Sequence, residues 1–311
     1  MRLLLIVNTS ASSVTPRARV VIHRALASAH EVVLKETNRR GHAARLARGA
    51  VADGTDVVVV LGGDGTLNEA ANGLAGARTA LAVLPGGSTN VFARTIGVAN
   101  EAIEATNQLL GALARGSIGR VGLGQANGRY FLFHAGIGFD AAVVDQVERL
   151  SPLKRYTGPA VFLLATLSTL WRGYGRRRPT FAVEADGAAQ GMSRFSICLN
   201  TDPYTYLGNR PLHVAPGTDL SSHLSLVSFT ELTVGALLPV VAAALADGRR
   251  TATAAGVRSL SALDQITITA EAPVPYQLDG DYVGVASSID MRWEADVISL
   301  VRPGLSNGLD R

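Results

Sequence analysis

Residues 56–90, DVVVVLGGDGTLNEAANGLAGARTALAVLPGGSTN, decide the fold, because two apolar segments in this stretch each run into a turn rich in glycine. Val57–Leu61 is apolar throughout, which is typical of a parallel strand buried on both faces. Leu67–Leu74 has helical spacing, and Leu81–Leu84 has the character of a second buried strand. The stretch therefore predicts a strand, a glycine turn, a helix, a second strand and a second glycine turn.

Two glycine turns at successive strand ends predict a phosphate-binding site. They read GGDGT from Gly62 and GGST from Gly86. In a parallel α/β sheet, ligands bind where strand ends meet helix starts, and glycine lets the backbone approach an anion closely. One such turn is weak evidence, because any turn from strand to helix can need glycine, but two neighbouring turns are much stronger. The first turn is not a Walker A loop, since the pattern GxxxxGK[ST] is missing from the sequence.

The motif GGDGTLNEAANGL followed by LPGGSTNVFAR resembles the diacylglycerol kinase catalytic domain family, which also holds sphingosine, ceramide and bacterial lipid kinases. GGDGT alone is shared with NAD kinases and phosphofructokinases, so it identifies only a superfamily. Asn68 and Glu69 directly after it, together with the second turn, favour the lipid-kinase branch. The resemblance implies an enzyme that uses ATP to phosphorylate the hydroxyl of diacylglycerol or a related lipid alcohol.

Two other functions stay open beside this one. A kinase of the same superfamily would act on NAD or on a sugar phosphate, because the first turn is common to all of these enzymes. A regulator that binds nucleotide or lipid without catalysis would keep the turns and release no phosphorylated product. A panel of acceptors offered with labelled ATP separates the three.

The composition describes an apolar and basic protein. The chain has 311 residues, 47% of them hydrophobic, and no apolar run long enough to span a bilayer. The N-terminal MRLLLIVN has the character of a first strand, not of a signal peptide. The lone Cys198 excludes an intramolecular disulfide and suits a reducing cytosol. These features predict a cytoplasmic protein.

The net charge of +4 comes almost entirely from arginine, since Lys35 and Lys154 are the only lysines. No nucleic-acid-binding motif accompanies the charge, so we expect no nucleic acid partner. With the lipid-kinase resemblance, the expected partners are a lipid substrate and, peripherally, an anionic membrane surface. Ordinary solubility charge is a nearly equal alternative. The oligomeric state stays open, and a homodimer is one option.

The order of strands and helices predicts two domains. Up to about residue 125 strands and helices alternate, which indicates an α/β domain with a parallel sheet covered on both faces. Residues 1–122 are assigned to this nucleotide-binding domain, which the resemblance makes NAD-kinase/phosphofructokinase-like. Residues 123–294 hold mostly short strands and predict an antiparallel β-sandwich domain for the lipid. The resemblance implies that residues 295–303, with apolar Val297–Val301, return to close the first domain.

The nucleotide is expected on the two glycine turns, through close backbone N–H groups. Asp64 is expected to hold Mg²⁺ directly or through water, and a helix N-cap role is compatible with this. The resemblance implies further nucleotide contacts from a polar residue after the first strand, a threonine near the adenosine and the two residues after GGDGT. For Glu69, the second of these two, the alternative is a surface position at a helix start. The residues expected to bind nucleotide are Asn8, Thr37, Gly62, Gly63, Asp64, Gly65, Thr66, Asn68, Glu69, Ser88 and Asn90.

A catalytic base is expected near the end of the second domain, where VPYQLDGD resembles the family's D-G-E element. Asp279 matches its aspartate, and Asp281 stands where glutamate is usual. Either carboxylate could take the proton of a lipid hydroxyl in the interdomain cleft. The alternative is a β-turn, since Asp-Gly is a common hairpin pair. The resemblance favours catalysis, with Asp64 as the third catalytic carboxylate.

The sequence departs from the family pattern at two places that are acidic in bacterial relatives. The second turn ends in Asn90-Val91, where Asn-Asp is usual, and Ser222 and His223 interrupt the acidic run expected after Asp219. In the relatives these acidic positions join a magnesium–water network. Their loss predicts that Mg²⁺ enters with ATP and that a permanent structural magnesium is missing. The loss of these acidic residues is also compatible with weak kinase activity or with a different substrate.

Three segments of the second domain carry further predictions. Pro159–Trp171 is apolar and runs into basic Arg172–Arg178, so it either touches the membrane or lies buried between the domains, and burial is slightly favoured. Val234–Ala246 is similarly apolar without such a basic run and is predicted as core. His134–Asp140 resembles the family's G-x-G-x-D segment, in which Asp140 could cap the following helix.

Overall fold

The computed structural model describes residues 1–138, 180–231 and 234–303. The predicted helix Pro159–Trp171, its basic flank and Asp140 lie outside these residues. The chain divides into two compact units, Met1–Leu123 with Ala295–Arg311, and Gly124–Glu294. Across the described ranges, no helix combines the length and apolar character needed to cross a membrane.

The first unit contains a parallel sheet built from buried aliphatic strands. β3 and β4 are buried along their whole length, which explains why both read as continuous apolar runs. The strands are ordered β16-β4-β3-β1-β2, and every pairing among them is parallel. The strands are β1 (Arg2–Val7), β2 (Glu31–Glu36), β3 (Val57–Gly62), β4 (Ala80–Pro85) and the end of β16 (Asp281–Val301).

The end of the chain pairs with this sheet. Ser299 and Leu300 of β16 pair in parallel with Ala80 and Leu81 of β4. The predicted apolar segment Val297–Val301 is buried, as expected for a strand inside the sheet.

Five helices of the first unit are described, and their starts follow recognisable capping chemistry. Thr15 accepts a hydrogen bond from the backbone of Ala18, and Pro16 opens the first helix. α3 begins at Asp64, three residues before the start at Leu67 that the apolar spacing predicted. The first turn of the helix is polar and therefore contributes nothing to the apolar pattern. The helices are α1 (Pro16–Ala27), α2 (His42–Ala52), α3 (Asp64–Leu74), α4 (Val91–Thr95) and α5 (Ala102–Ala114).

The second unit is built on antiparallel strands, so the predicted fold class is confirmed. Its strands are ordered β14-β13-β10-β7-β15-β16, and the hairpin β8–β9 pairs with β15. The elements from residue 118 onward are β5 (Ile118–Ala126), β6 (Arg129–Phe131), β7 (His134–Gly138), β8 (Phe181–Ala185), β9 (Ala188–Ser193), β10 (Phe195–Leu199), β11 (Thr205–Leu207), β12 (Arg210–Leu212), β13 (Leu224–Phe229), α6 (Val234–Ala246), a 3-10 turn (Thr251–Thr253), β14 (Val257–Leu263), β15 (Gln265–Leu278) and β16.

A bend at Leu132 and Phe133 separates β6 from β7. One sequence-based prediction about this unit is corrected. The helix α6 is core on one face only: Val240 and Ala244 are buried, whereas 43% of Val241 is exposed. The apolar sequence gave no sign of this difference, because both faces of α6 carry the same residue types.

Candidate nucleotide site and carboxylate turn

The two glycine turns lie against one another, because β3 and β4 are neighbouring parallel strands. The backbone N–H of Gly86 donates to the carbonyl of Gly62 at 2.9 Å. A Cβ on Gly86 would lie 2.8 Å from the Cα of Gly62, and a Cβ on Gly87 would lie 2.9 Å from the Cα of Gly63. Neither position has room for a side chain, so the close approach of the two backbones requires glycine. The predicted side-by-side placement of the turns is confirmed.

The first turn leads directly into the N-terminus of α3. Gly63 is the residue before the helix, and its lack of a side chain leaves the helix start without a side-chain cap. The first backbone N–H groups of any helix have no carbonyl partner within the helix, and they carry partial positive charge. Gly65 and Thr66 lie in this first turn and are partly exposed. The helix start therefore has the donors and the charge that suit a phosphate group.

Asp64 ties the two turns together. Its Oδ2 accepts a hydrogen bond from the backbone N–H of Val91 at 3.0 Å, and its Oδ1 accepts one from Phe92 at 3.1 Å. It therefore caps the start of α4, the short helix after the second turn. A carboxylate is also a ligand that magnesium accepts, directly or through water.

Asn90 closes the second turn from within. Its Oδ1 accepts from the N–H of Gly87 at 2.8 Å, and its Nδ2 donates to the carbonyl of Gly87 and to Asn100. The side chain is 5% exposed, and its φ of 51° is in the left-handed region that asparagine tolerates. Its amide therefore shapes the turn, while Ser88 is exposed at the tip.

A third polar turn lies beside the first glycine turn. The Nδ2 of Asn8 donates to Thr66 Oγ1 at 2.9 Å, and its backbone N–H donates to Leu61. The N–H of Thr37, directly after β2, donates to the carbonyl of Val7. The structure thus brings Asn8 to the glycine turns and places Thr37 at the same edge of the sheet, where the strands end.

Asn68 and Glu69 have partners within the first unit. Glu69 accepts from the backbone N–H groups of Gly41 at 2.7 Å and Ala43 at 3.1 Å. It therefore caps α2, whose own N-cap residue is a glycine without a side chain. Asn68 is fully buried and accepts from Nδ2 of Asn72. Glu69 thereby joins α3 to α2, a role that sequence reasoning missed because the Gly41–Glu69 contact spans 28 residues.

Asp279 and Gly280 form a two-residue hairpin turn between β15 and β16. Leu278 pairs with Asp281, and the φ angles of Asp279 and Gly280 are 51° and 81°. Positive φ at both central residues is the geometry that Asp-Gly favours in tight hairpins. The turn that the sequence left as an alternative is therefore present.

The carboxylate of Asp279 accepts hydrogen bonds from the backbone. It is 3% exposed and accepts from the N–H groups of Leu132 at 2.7 Å, Phe133 at 2.9 Å and His134 at 3.1 Å. These bonds hold the bend between β6 and β7. The three donors satisfy a carboxylate that the interior shields from water.

Asp281 is the more accessible of the two aspartates. Its Oδ2 lies 3.6 Å from Nη2 of Arg129, and the side chains are 30% and 35% exposed. The arginine is on β6 and the aspartate opens β16, so the pair is positioned by two strands of the same unit.

His134 lies beside this bend as a neutral side chain. Its ring contacts Phe133 and Tyr204, with centroids 4.8 Å and 4.5 Å away. Burial lowers the pKa of His134 to about 3, since the interior disfavours the imidazolium.

The segment that departs from the family's acidic run is held by its own hydrogen bonds. Asp219 accepts from the N–H groups of Ser221 and Ser222. His223 stacks on Trp293 with centroids 4.4 Å apart, and its Nδ1 lies 2.5 Å from Asp264. Within the part of the chain that the structure describes, no three His, Cys, Asp or Glu side chains are grouped to hold a metal.

Comparison with known proteins agrees with the motif. Residues 2–125 match the family model of the diacylglycerol kinase catalytic domain. A probable lipid kinase YegS-like protein of Chromohalobacter salexigens is 34% identical over 51% of this chain and 51% of its own length. A diacylglycerol kinase of Bacillus subtilis is 35% identical over 51% and 50%. The chain spans about half the length of the curated relatives it matches.

The fold has a counterpart that extends over nearly the whole chain. A crystal structure of a putative diacylglycerol kinase from Bacillus anthracis superposes with a TM-score of 0.77 and covers 97% of both chains at 23% identity. At that identity the match shows the fold alone. With the family match and the two glycine turns, the predicted resemblance to the diacylglycerol kinase catalytic domain family is confirmed over residues 2–125.

Proposed function

We propose that the protein is an ATP-dependent kinase that transfers the γ-phosphoryl group to the hydroxyl of diacylglycerol or a related lipid alcohol. One observation carries the proposal: two glycine turns pack backbone against backbone at a helix start that has no side-chain cap. Such a surface offers several N–H donors to a chain of phosphates and has no Cβ in the way. The family match of residues 2–125 supports the lipid as acceptor.

The residues of the turns suit a nucleotide that brings its own magnesium. Asp64 is a single carboxylate, fixed by two backbone N–H groups. Magnesium commonly binds one or two protein carboxylates and completes its shell with phosphate and water. When bound, the ion would neutralise charge on the phosphates during transfer. Asp64 would hold and orient it, while Gly63, Gly65 and Thr66 would bind phosphate oxygens.

Asp281 is the stronger candidate for the base. A base must reach the substrate hydroxyl and accept its proton. The oxygens of Asp279 accept three backbone hydrogen bonds in the interior, whereas Asp281 is partly exposed. Arg129 would orient the carboxylate of Asp281. We therefore assign proton abstraction to Asp281 and a structural role to Asp279.

The test offers labelled ATP to the purified full chain with diacylglycerol, sphingosine, ceramide, NAD and sugar phosphates as separate acceptors. The proposal expects labelled lipid and no labelled NAD or sugar phosphate. Transfer to NAD or to a sugar phosphate alone would contradict it and assign the chain to another branch of the superfamily.

The second candidate function is a regulator that binds ATP and transfers nothing. Val91 and Ser222 favour it, because both stand where the family's acidic residues are usual. Calorimetric binding of ATP without product from any lipid in the panel would support this function over the first.

A further inference from the structure

We propose that the outward face of α6, with the arginines around it, docks on an anionic lipid bilayer. α6 contains thirteen residues, VGALLPVVAAALA, without one polar side chain. A surface helix normally carries polar residues on the face that meets water. A helix that is apolar all round is expected to be covered on every side, either by protein or by lipid.

One face of α6 is covered by its own unit. Val240 and Ala244 are buried at 5% and 1% exposure in a core with Tyr204 and Val227, and Leu237 packs partly against the same core. The backbone of α6 is also fixed, because the carbonyl of Ala244 accepts from the N–H of His213 at 2.8 Å.

The other face of α6 is exposed although it is apolar. Val241 is 43% exposed, and Pro239, Ala242 and Ala246 are exposed as well. The hairpin β11–β12, whose second strand packs against α6, adds Leu207 at 42% exposure. Apolar side chains are thus exposed both on α6 and on the hairpin that packs against it.

Exposed basic side chains lie directly after α6 and on the strand that packs against it. Arg249 and Arg250 follow the end of α6 and are exposed, Arg249 by 84% of its side chain. Arg210 is exposed on β12. Against these three cations stands Asp247, 3.9 Å from Arg249. An apolar helix face bordered by arginines is the pattern of helices that lie in the interface of an anionic membrane.

A bilayer is the occupant that fits both the apolar and the charged parts. A protein partner would need an acidic rim of matching shape, whereas anionic headgroups above acyl chains supply both components along any orientation of the helix. The choice of lipid rests on the proposed function, because a substrate such as diacylglycerol resides in a bilayer.

The test is flotation of the full chain with vesicles of phosphatidylcholine alone and of phosphatidylcholine with an equal part of phosphatidylglycerol. Binding is expected to the anionic vesicles and to fall with added salt. Arg249→Gln with Arg250→Gln should weaken binding about 30-fold, at about 1 kcal/mol for each arginine near the surface. Val241→Asp should weaken it about tenfold, since it places a charge in the apolar face.

Val20→Asp is the matched control, because Val20 is a valine on helix α1 with 45% exposure. It should bind vesicles as the wild type does, and circular dichroism should show all variants folded. The proposal is overturned if the wild type ignores anionic vesicles, or if the α6 variants bind like the control. It is also overturned if sedimentation shows a wild-type dimer that Val241→Asp dissociates, because the face would then contact a second copy.

Activity on a water-soluble, short-chain diacylglycerol separates this proposal from the proposed function. The α6 variants should phosphorylate the soluble lipid like the wild type and lose activity only on vesicles. If the wild type phosphorylates no lipid but binds anionic vesicles through α6, the proposed function fails and the docking surface stands.

Discussion

The GGDGT turn and the Asp279-Gly280 turn are both Asp-Gly motifs, yet their aspartates differ in what surrounds them. Asp64 is partly exposed and bridges two turns, with its oxygens at a surface where backbone donors gather. Asp279 is buried, and its oxygens accept from three N–H groups of one bend. The comparison teaches that a motif predicts where a carboxylate is, while its hydrogen bonds decide what it can still do.

Asp281→Asn tests the difference between the two aspartates of the hairpin turn with the largest expected effect. If Asp281 takes the proton of the lipid hydroxyl, kcat should fall by about 10²- to 10⁴-fold, the usual contribution of a general base. Stability should change by less than about 1 kcal/mol, since the pair with Arg129 is partly exposed. Lipid kinase assays and urea unfolding measure the two effects. Wild-type turnover in this variant would return the base assignment to Asp279.

Asp279→Asn should instead lower the free energy of unfolding by about 3 kcal/mol. The amide offers one acceptor oxygen where the carboxylate has two, and its NH₂ would face backbone donors; hydrogen bonds to a charged group each contribute about 1.5–3 kcal/mol. Urea unfolding of Asp279→Asn and of Asp281→Asn measures the difference between their free energies of unfolding. Unchanged stability with lost turnover would show that Asp279 acts in catalysis and not in folding.

Gly86→Ala tests the close approach of the glycine turns. The new Cβ would lie 2.8 Å from backbone atoms of Gly62, so we expect a loss of about 2 kcal/mol, typical of overpacking. Gly49→Ala is the matched control, because its Cβ would meet nothing within 4 Å in the middle of α2. The control should gain stability, by up to about 1 kcal/mol, since alanine favours helix. Equal stability of the two variants would mean that the turns are further apart than described.

The pH dependence of stability tests the interior beside the Asp279 turn. The pKa of His134 is about 3 when folded and near the ordinary 6.5 when unfolded, so the unfolded chain binds the extra proton first as pH falls. The contribution of neutral His134 to the free energy of unfolding is fully present above pH 6.5. It decreases by about 1.4 kcal/mol for each pH unit as the pH falls from 6.5 to 3. Urea unfolding at pH 7 and pH 5 should show a smaller loss in His134→Phe than in the wild type. Equal losses would place His134 in contact with water.

The alternation of strands and helices could be predicted from the sequence, because buried parallel strands appear as apolar runs and GGDGT ends one of them. The sequence also predicted that the glycine turns adjoin, since consecutive strands β3 and β4 pair. It could not predict that Asp64 caps α4 or that Glu69 caps α2. Those bonds join residues 26–28 positions apart. The sequence does not distinguish a carboxylate that caps a distant helix from one that faces solvent.

The role of Asp279 was beyond sequence reasoning for the same reason. Its partners in the bend after β6 lie 145–147 residues away, so only the folded unit reveals that the carboxylate is occupied. The start of α3 and the five-residue α4 were missed because a polar first turn and a very short helix carry little periodic signal.

Calorimetric titration of the full chain with ATP and Mg²⁺ measures whether the paired glycine turns bind the phosphates of ATP. The account predicts binding by the wild type and by Gly49→Ala. It predicts loss of binding in Gly87→Ala, whose Cβ would lie 2.9 Å from the Cα of Gly63. Undiminished ATP binding by folded Gly87→Ala, or no binding by the wild type, would contradict the account.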